Sequence, residues 1–493
     1  MRISALGLGM AAVFMSLCFG TTGACAAEAA ATVAPAATAT PAATATPAVK
    51  PPPVDLINAL LRKKYPAASA WDAGGEVRGR YELKGNAGSY PNRDFARNLD
   101  NSNDFFLFRA KLHLGWSPTS WFTAFVEGRE AYAASDTRPI TETDYLDVHQ
   151  AYLRLGDPKL FPVSFKLGRQ ELIYGDQRYI GNADWSNLQR SFDAVKLRFE
   201  NELFWVDAFT GHQVIPYNHH FNQSNDHDWF SGIYASTKVL APWQDTELYF
   251  LARNVGPKSP TAITPTLGGP GERDIYTLGT RWKSTPGMLG NWDYAAEVAW
   301  QFGNIYQGTK RLDHRALAVN VSGGYTWKDT FGAPRLGLGY DYGSGDSNPL
   351  DGTNETFELL FGTNHRLYGN MDLMGLRNMH IPRLEAAMKP NASVTVALEW
   401  LAFWLADTTD FFYPENGPGR TQNGYGRNPG FSSYVGQEVD LLVDWRVAPW
   451  GLLRTGYGHF FVGDYIRQSI NSVPANGGAV DANWVYLQAT SRF

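Results

Sequence analysis

Leu167 to Phe199 reads LGRQELIYGDQRYIGNADWSNLQRSFDAVKLRF, and the alternation at its two ends decides the fold. Val195, Leu197 and Phe199 take one face of the second end while Lys196 and Arg198 take the other, and Arg169 and Glu171 share a face in the first. Successive side chains of a strand point to opposite faces, so the stretch is a hairpin whose middle is rich in Gly, Asp, Asn, Arg and Trp. An apolar face backed by ionised side chains fits a soluble sandwich with its charges in water or a membrane barrel with its charges in the lumen.

The flanking sequence separates these two. Gly75 to Gly85 sets Val77, Gly79, Tyr81 and Leu83 against Glu76, Arg78, Arg80, Glu82 and Lys84, and Phe105 to Trp116 sets Phe106, Phe108, Ala110, Leu112 and Leu114 against Arg109, Lys111 and His113. The same division recurs where Tyr276, Leu278, Thr280 and Trp282 oppose Arg281 and Lys283. It recurs again where Leu336, Leu338, Tyr340 and Tyr342 oppose Arg335 and Asp341, and where Val439, Leu441, Val443 and Trp445 oppose Glu438, Asp440 and Asp444. Such segments number about 18, an even count as in single-chain bacterial barrels.

Brief turns near Ser117, Asp157, Asn201, Pro242, Pro286, Thr330, Pro390 and Pro449 alternate with longer connections at 87–103, 136–145, 175–190, 212–228, 255–272, 303–312, 345–374, 407–433 and 463–480. A sandwich has no reason to alternate its turns this way. Leu376 to Met388, interrupted by Pro382, reads as a poor strand. No apolar run approaches the roughly 20 residues of a spanning helix; Val394 to Ala406 is short and contains Glu399. With 16 Trp and 24 Tyr the chain is rich in rings that suit a membrane interface. The fold class is therefore all-β, a transmembrane antiparallel up-and-down barrel with long outer loops and short periplasmic turns, in the outer membrane of a Gram-negative bacterium.

The ends agree with export. Met1 and Arg2, the apolar stretch Ala5 to Gly20 and Ala24-Cys25-Ala26 form a secretory signal peptide over residues 1–26. Residues 27–53 are an Ala/Pro/Thr linker with too little bulk to fold. Residues 54–74 hold a short periplasmic helix, Val54 to Tyr65, ended by Pro66, and residues 75–493 form the barrel. Cleavage after Ala26 removes both cysteines and leaves 42 basic against 48 acidic residues, net −6, so neither a disulfide scaffold nor a nucleic-acid partner is expected. The final NWVYLQATSRF resembles the terminal strand of bacterial outer-membrane barrels.

GRQEL, GDQR, DW and RSFD within Leu167 to Phe199 look like the bacterial alginate export family. So do GYDYGSGD (Gly339 to Asp346), NETFELLFGTNHRLYGNMDL (Asn354 to Leu373) and VGQEVDLLVDW (Val435 to Trp445). The resemblance implies an 18-stranded barrel that passes alginate, an anionic exopolysaccharide, through a pore lined by cations and narrowed by loops, and it leaves room for periplasmic export partners. By strand alternation the basic lumen residues are Arg78, Arg80, Arg109, Lys111, Arg129, Arg169, Arg198, Arg253, Arg281, Arg335 and Arg454. A guanidinium stays charged and offers a flat fork to a carboxylate, and several in file let a polyuronate bind and leave stepwise.

The same face carries Glu127, Glu171, Glu297, Asp341, Glu399, Glu438 and Asp440, together with Glu76, Glu82, Glu247 and Asp444. Acid and base on it either pair across neighbouring strands or select the substrate. The family's late periplasmic plug loop is replaced here by Ala448-Pro449-Trp450-Gly451. The decorated middle of the opening stretch is expected to fold into the mouth, with Asp184 and Trp185 at the constriction, Trp185 as a wedge, and Arg190 paired to Asp193 or Glu171.

Two other functions fit the same fold: a passive porin for uptake of small charged solutes, and a surface-exposed binding or structural barrel held in outer-membrane lipid. No Ser stands in a hydrolase elbow or beside a His, so the chain is not read as an enzyme. His219, His220 and His227 match no ligand spacing. Asp407 and Asp410 offer oxygens for Ca²⁺ or form a solvated acidic loop. No cofactor is expected.

Overall fold

The period-two pattern closes on itself as a wall. The computed structural model describes residues 56–88, 90–138, 142–259, 271–307 and 310–493; the expected signal peptide and linker lie outside the described residues. The strands are β1 (Trp71–Gly85), β2 (Asn103–Thr119), β3 (Phe122–Ala134), β4 (Asp144–Leu155), β5 (Val163–Gln170), β6 (Phe192–Glu200), β7 (Phe204–Ile215), β8 (Gln223–Thr237), β9 (Gln244–Val255) and β10 (Arg273–Ser284). They continue as β11 (Trp292–Gln307), β12 (Lys310–Thr326), β13 (Arg335–Gly343), β14 (Thr353–Asn354), β15 (Met379–Asn391), β16 (Val394–Leu405), β17 (Tyr434–Ala448), β18 (Gly451–Val462) and β19 (Ala482–Arg492). Neighbours pair antiparallel throughout the wall, β13 pairs with β15, and β19 closes on β1. The two-residue β14 is not in the wall; it pairs in parallel with β12 inside a loop. The wall therefore has 18 strands.

Alternation sorts the two faces as a lipid-embedded barrel requires. In β1 the residues Glu76, Arg78, Arg80, Glu82 and Lys84 are buried while Val77, Tyr81 and Leu83 are exposed. Leu112 is 64% exposed on β2, a burden for a protein in water and none in hydrocarbon. Trp71, Trp116, Trp121, Trp243, Trp292, Trp327, Trp445 and Trp450 are exposed near the short-turn end, a girdle at the depth where an amphipathic ring is half in lipid and half in water.

Three stretches differ from the sequence reading. The segment 303–312 is not a loop: β11 and β12 stay paired as far as Gln307 opposite Lys310. Much of 212–228 is likewise strand, since β7 runs to Ile215 and β8 begins at Gln223. The poor strand around Pro382 is a full wall strand, β15. Pro382 lies opposite Tyr340 on β13, and the ladder to β16 skips Ile381 and Pro382, where the missing N–H leaves no donor.

Helix α1 (Leu56–Lys64) is held to β1 by Asn58, whose amide donates to Asp72 Oδ1 at 2.7 Å and accepts from the Ala73 N–H at 2.8 Å. A second helix, α2 (Asp464–Asn471), lies in the last long loop. Inside the barrel an apolar core joins wall residues Phe192, Phe230, Ile381 and Phe460 to loop residues Leu172, Ile180, Phe357, Phe361, Leu376 and Phe412. Long loops thus pack inward, and their apolar contacts hold them there.

Candidate functional site

The β5–β6 loop, residues 171–191, crosses the interior. Tyr174 donates to Asp207 on β7 at 2.7 Å, and Asp176 accepts Arg281 at 2.9 Å and Lys283 at 2.6 Å from β10. Tyr179 donates to Asn320 on β12 at 2.9 Å, and Arg178 pairs with Asp341 on β13 at 3.0 Å. Further along, Asp184 to Asn187 touch β1, β2 and β3, in the other direction round the ring. Only a loop inside the barrel reaches both sets.

Its tip is clamped by arginines. Arg78 donates to the carbonyls of Asp184 (2.6 Å), Trp185 (3.3 Å) and Ser186 (3.3 Å). Arg109 donates to the carbonyls of Asp184 and Ser186 and pairs with the carboxylates of Asp184 and Glu76, each at 2.7 Å. Arg80 donates to the Trp185 carbonyl at 2.7 Å, pairs with Glu82 at 2.8 Å, and places its guanidinium 3.5 Å over the Trp185 ring. The opposite face of Trp185 is covered by His365, ring centroids 3.6 Å apart and 4° from parallel, and Tyr486 meets its edge at 5.3 Å. Burial and then Arg80 hold the His365 imidazole well below its ordinary value, so it stacks as a neutral ring. Loop carbonyls inside a barrel need donors; these three arginines, read from sequence as lumen cations, spend theirs on that task.

A second loop, 344–378, meets the first edge to edge. The Phe361 N–H donates to the Tyr179 carbonyl at 3.0 Å, Gly181 N–H to Phe361 at 2.8 Å and Thr363 N–H to Gln177 at 2.8 Å. Gly362 is required here, because a Cβ would fall on the Arg178 carbonyl. Arg190 caps this crossing by donating to the carbonyls of Gly181, Phe361 and Gly362. It therefore pairs with neither Asp193 nor Glu171. Asp193 lies directly opposite Arg169 and accepts from it at 2.9 and 3.0 Å, and Glu171 bonds His149 and Asn182 at 3.0 Å each.

The far end of the second loop is hooked to the wall by Asn370. Its N–H donates to Glu438 at 2.6 Å, and its side-chain amide donates to Glu399 at 3.1 Å and Asp440 at 3.0 Å. The four motif stretches singled out in the sequence thus meet inside the barrel: Arg178 with Asp341, Gln177 with Thr363, Asn370 with Glu438.

Most of the other nominated charges pair with their neighbours: Arg129 with Asp144 (2.5 Å), Arg198 with Asp207 (2.6 Å), Arg253 with Asp228 (2.7 Å), Arg281 with Glu247 (2.9 Å) and Arg335 with Asp293 (2.6 Å). Lys111 approaches Glu127 at 4.0 Å, Arg454 approaches Asp444 at 3.5 Å, and Glu297 accepts the Tyr249 hydroxyl at 2.9 Å. Arg366, which strand alternation had no means of finding, differs. It occupies a left-handed turn (φ 67°) closed by its N–H to the Gly369 carbonyl, its side chain is 44% exposed, and Glu399 is 3.8 Å away.

Two buried loop acids are shifted upward. Burial pushes the Asp372 carboxyl up to about 7, and burial followed by Asp372 pushes Glu415 up to about 8. Asp410 is neither a solvated acid nor open to Ca²⁺: it is buried and accepts from Thr356, Tyr413 and the N–H groups of Asp346 and Phe411.

The model of a family described as alginate export matches residues 71–478. The comparison with curated proteins found no match. Among solved structures, Pseudomonas aeruginosa OccD3 (OpdP) is similar with a TM-score of 0.54 at 12% identity, covering 86% of this chain and 91% of that one. P. aeruginosa OccK2 (OpdF), in complex with glucuronate, gives 0.54 at 11%, covering 86% and 98%. Acinetobacter baumannii OccAB4 gives 0.52 at 12%, covering 86% and 98%. At these identities the likeness is one of fold.

Proposed function

We propose, from the premise that this chain belongs to the alginate export family, that it carries an anionic exopolysaccharide such as alginate outward. The chain is an outer-membrane channel of a Gram-negative bacterium; the polymer and the direction are the proposal. The observation that carries it is a set of lumen cations that keep open surface while paired, Lys196 and Arg198 with Asp207, Arg454 with Asp444 and Arg492 with Glu76. Lys196, Arg198, Arg454 and Arg492 are partly open near the short-turn end, and Arg366 is open at the constriction. A polyuronate entering from the periplasm would exchange its carboxylates among these groups, each bound weakly enough to release it. Periplasmic export partners would deliver it to the short-turn rim.

The test is block of single-channel current in planar bilayers by short oligouronates. Block from the short-turn side, steeper with chain length and weakened in Arg366→Gln, is expected. One observation favours a second reading, uptake of small charged solutes: the two infolded loops span the interior and are tied there by buried pairs. On that reading glucuronate crosses while oligomers neither enter nor block.

A further inference from the structure

At the short-turn end β1 is longer than the strand that closes the ring against it. The β1–β19 ladder starts where Glu76 faces Arg492, and just beyond it Gly75 exchanges backbone bonds with Phe493 at 2.8 and 3.1 Å. Trp71 to Gly74 continue past that point, paired to β2 on their other side. The seam-side edge of this extension would present bare backbone groups at the membrane surface. Helix α1 covers it. Ala73 stands two residues from Gly75, so its N–H points to the same side, and Asn58 accepts that N–H at 2.8 Å.

The same extension sets the depth of the helix. Trp71 shares the lipid-facing side of β1 with Val77, Tyr81 and Leu83, and its ring lies 6.0 Å from that of Trp116 in the aromatic girdle. Arg62 reaches the Trp71 carbonyl at 3.5 Å. A headgroup layer is roughly 5 to 7 Å thick and a helix about 10 to 12 Å across, so a helix tied to Trp71, Asp72 and Ala73 lies against that layer. What it shows there is mixed. Asn58 is buried and Ile57 and Leu61 are half-buried, whereas Leu60 is 70% exposed, Tyr65 53% and Trp71 41%. Arg62, Lys63 and Lys64 fill the exposed last turn, and the Lys64 ammonium stands 5.3 Å over the Tyr65 ring. Bulky apolar groups beside three cations are a burden in water and suit a lipid–water boundary, where the first enter the acyl edge and the second meet phosphodiesters.

We propose that α1, Tyr65 and Trp71 form an interfacial anchor that binds anionic phospholipid headgroups of the periplasmic leaflet, with Lys63 and Lys64 on the phosphodiesters and Leu60 at the acyl boundary. The anchor keeps the helix over the open edge of β1 and so shields the closing seam at the rim. An acidic protein surface would satisfy the lysines, yet to cover Leu60 and Tyr65 beside Trp71 it would have to enter a depth that lipid already fills. The anchor does not depend on which solute the channel carries or in which direction.

Full-length protein in lipid nanodiscs, which leave both faces of the membrane open, tests this. A bimane fluorophore on Ala59→Cys, with Cys18→Ala and Cys25→Ala so that the added thiol stands alone, reads the depth of the helix against a lipid carrying a nitroxide near its headgroup. Quenching should be at least about twofold stronger in discs holding phosphatidylglycerol than in phosphatidylcholine alone, as expected of a basic interfacial helix. Lys63→Gln together with Lys64→Gln should return it to the phosphatidylcholine level, with heat-modifiable gel migration unchanged as evidence of a folded barrel. A label beyond reach of the nitroxide in both lipids overturns the anchor and leaves this face to a periplasmic protein. Quenching that is equal in the two lipids and unmoved by the Gln variants overturns the recognition of anionic headgroups.

Discussion

The β1–β2 arc and the β15–β17 arc both present charge to the interior and both hold a loop, the first through arginines on carbonyls and the second through carboxylates on Asn370. Arg78, Arg80 and Arg109 hold the carbonyls of Asp184 to Ser186 at 2.6 to 3.3 Å, whereas the acids of the second arc meet their cations at 3.5 Å or more. A loop residue brings one N–H and one carbonyl, so arginines take the carbonyls of Asp184 to Ser186 while Glu438 takes the N–H groups of Asn370 and Met371. Both arcs serve as scaffold where a loop meets them, and only Glu385 and Asp444 of the acidic arc keep partly open side chains.

The largest test of that contrast removes the clamped tip. Deleting Asn182 to Leu188 should raise single-channel conductance several-fold; unchanged conductance would refute the constriction. Next, Arg109→Leu leaves Glu76 with Arg492 alone and the part-exposed Asp184 carboxylate without its ion pair, so the loss stays below the about 3 to 5 kcal/mol of a fully stranded buried charge, read as a lower urea midpoint in detergent micelles.

An intermediate effect comes from pH. Asp372 and Glu415 are pushed up to about 7 and about 8, above their values of about 4 in an unfolded chain. The docked loops therefore hold more protons than undocked ones between about pH 4 and these values, and docking weakens as pH rises through that window. Lys84 and Arg138 face the same acids and temper the effect. Protease nicking of the outer loops should increase from pH 6 to about 8.5 and then level off; nicking that increases on acidification would reverse the assignment. The smallest change in stability belongs to Arg366→Gln, about 1 kcal/mol, since its approach to Glu399 is a long 3.8 Å and its own side chain is 44% exposed. That variant should alter block by anions while moving the urea midpoint only slightly.

Much of the wall was legible because alternation in it has one cause. Val77, Tyr81 and Leu83 face hydrocarbon and Glu76, Arg78 and Arg80 face inward, so each segment declares its own faces. Pro382 misled because a missing N–H was weighed without its neighbours, which keep β15 in the sheet through β13. The interior was less legible. Phe192, Phe230 and Phe460 also point inward, a sign that something apolar fills the outer half of the bore, but nothing local says which loop does so.

Strand number, lipid-facing positions and family motifs were determined by the sequence itself, since a strand in a barrel answers only to the lipid outside it and to the strand on either side. The partners of Arg190, the conversion of Arg78, Arg80 and Arg109 into a clamp, and the openness of Arg366 were decided by tertiary structure alone. Each depends on groups that meet only when loops fold into a closed ring, as Arg190 meets Phe361 from 171 residues away, and no local pattern encodes a contact across that distance.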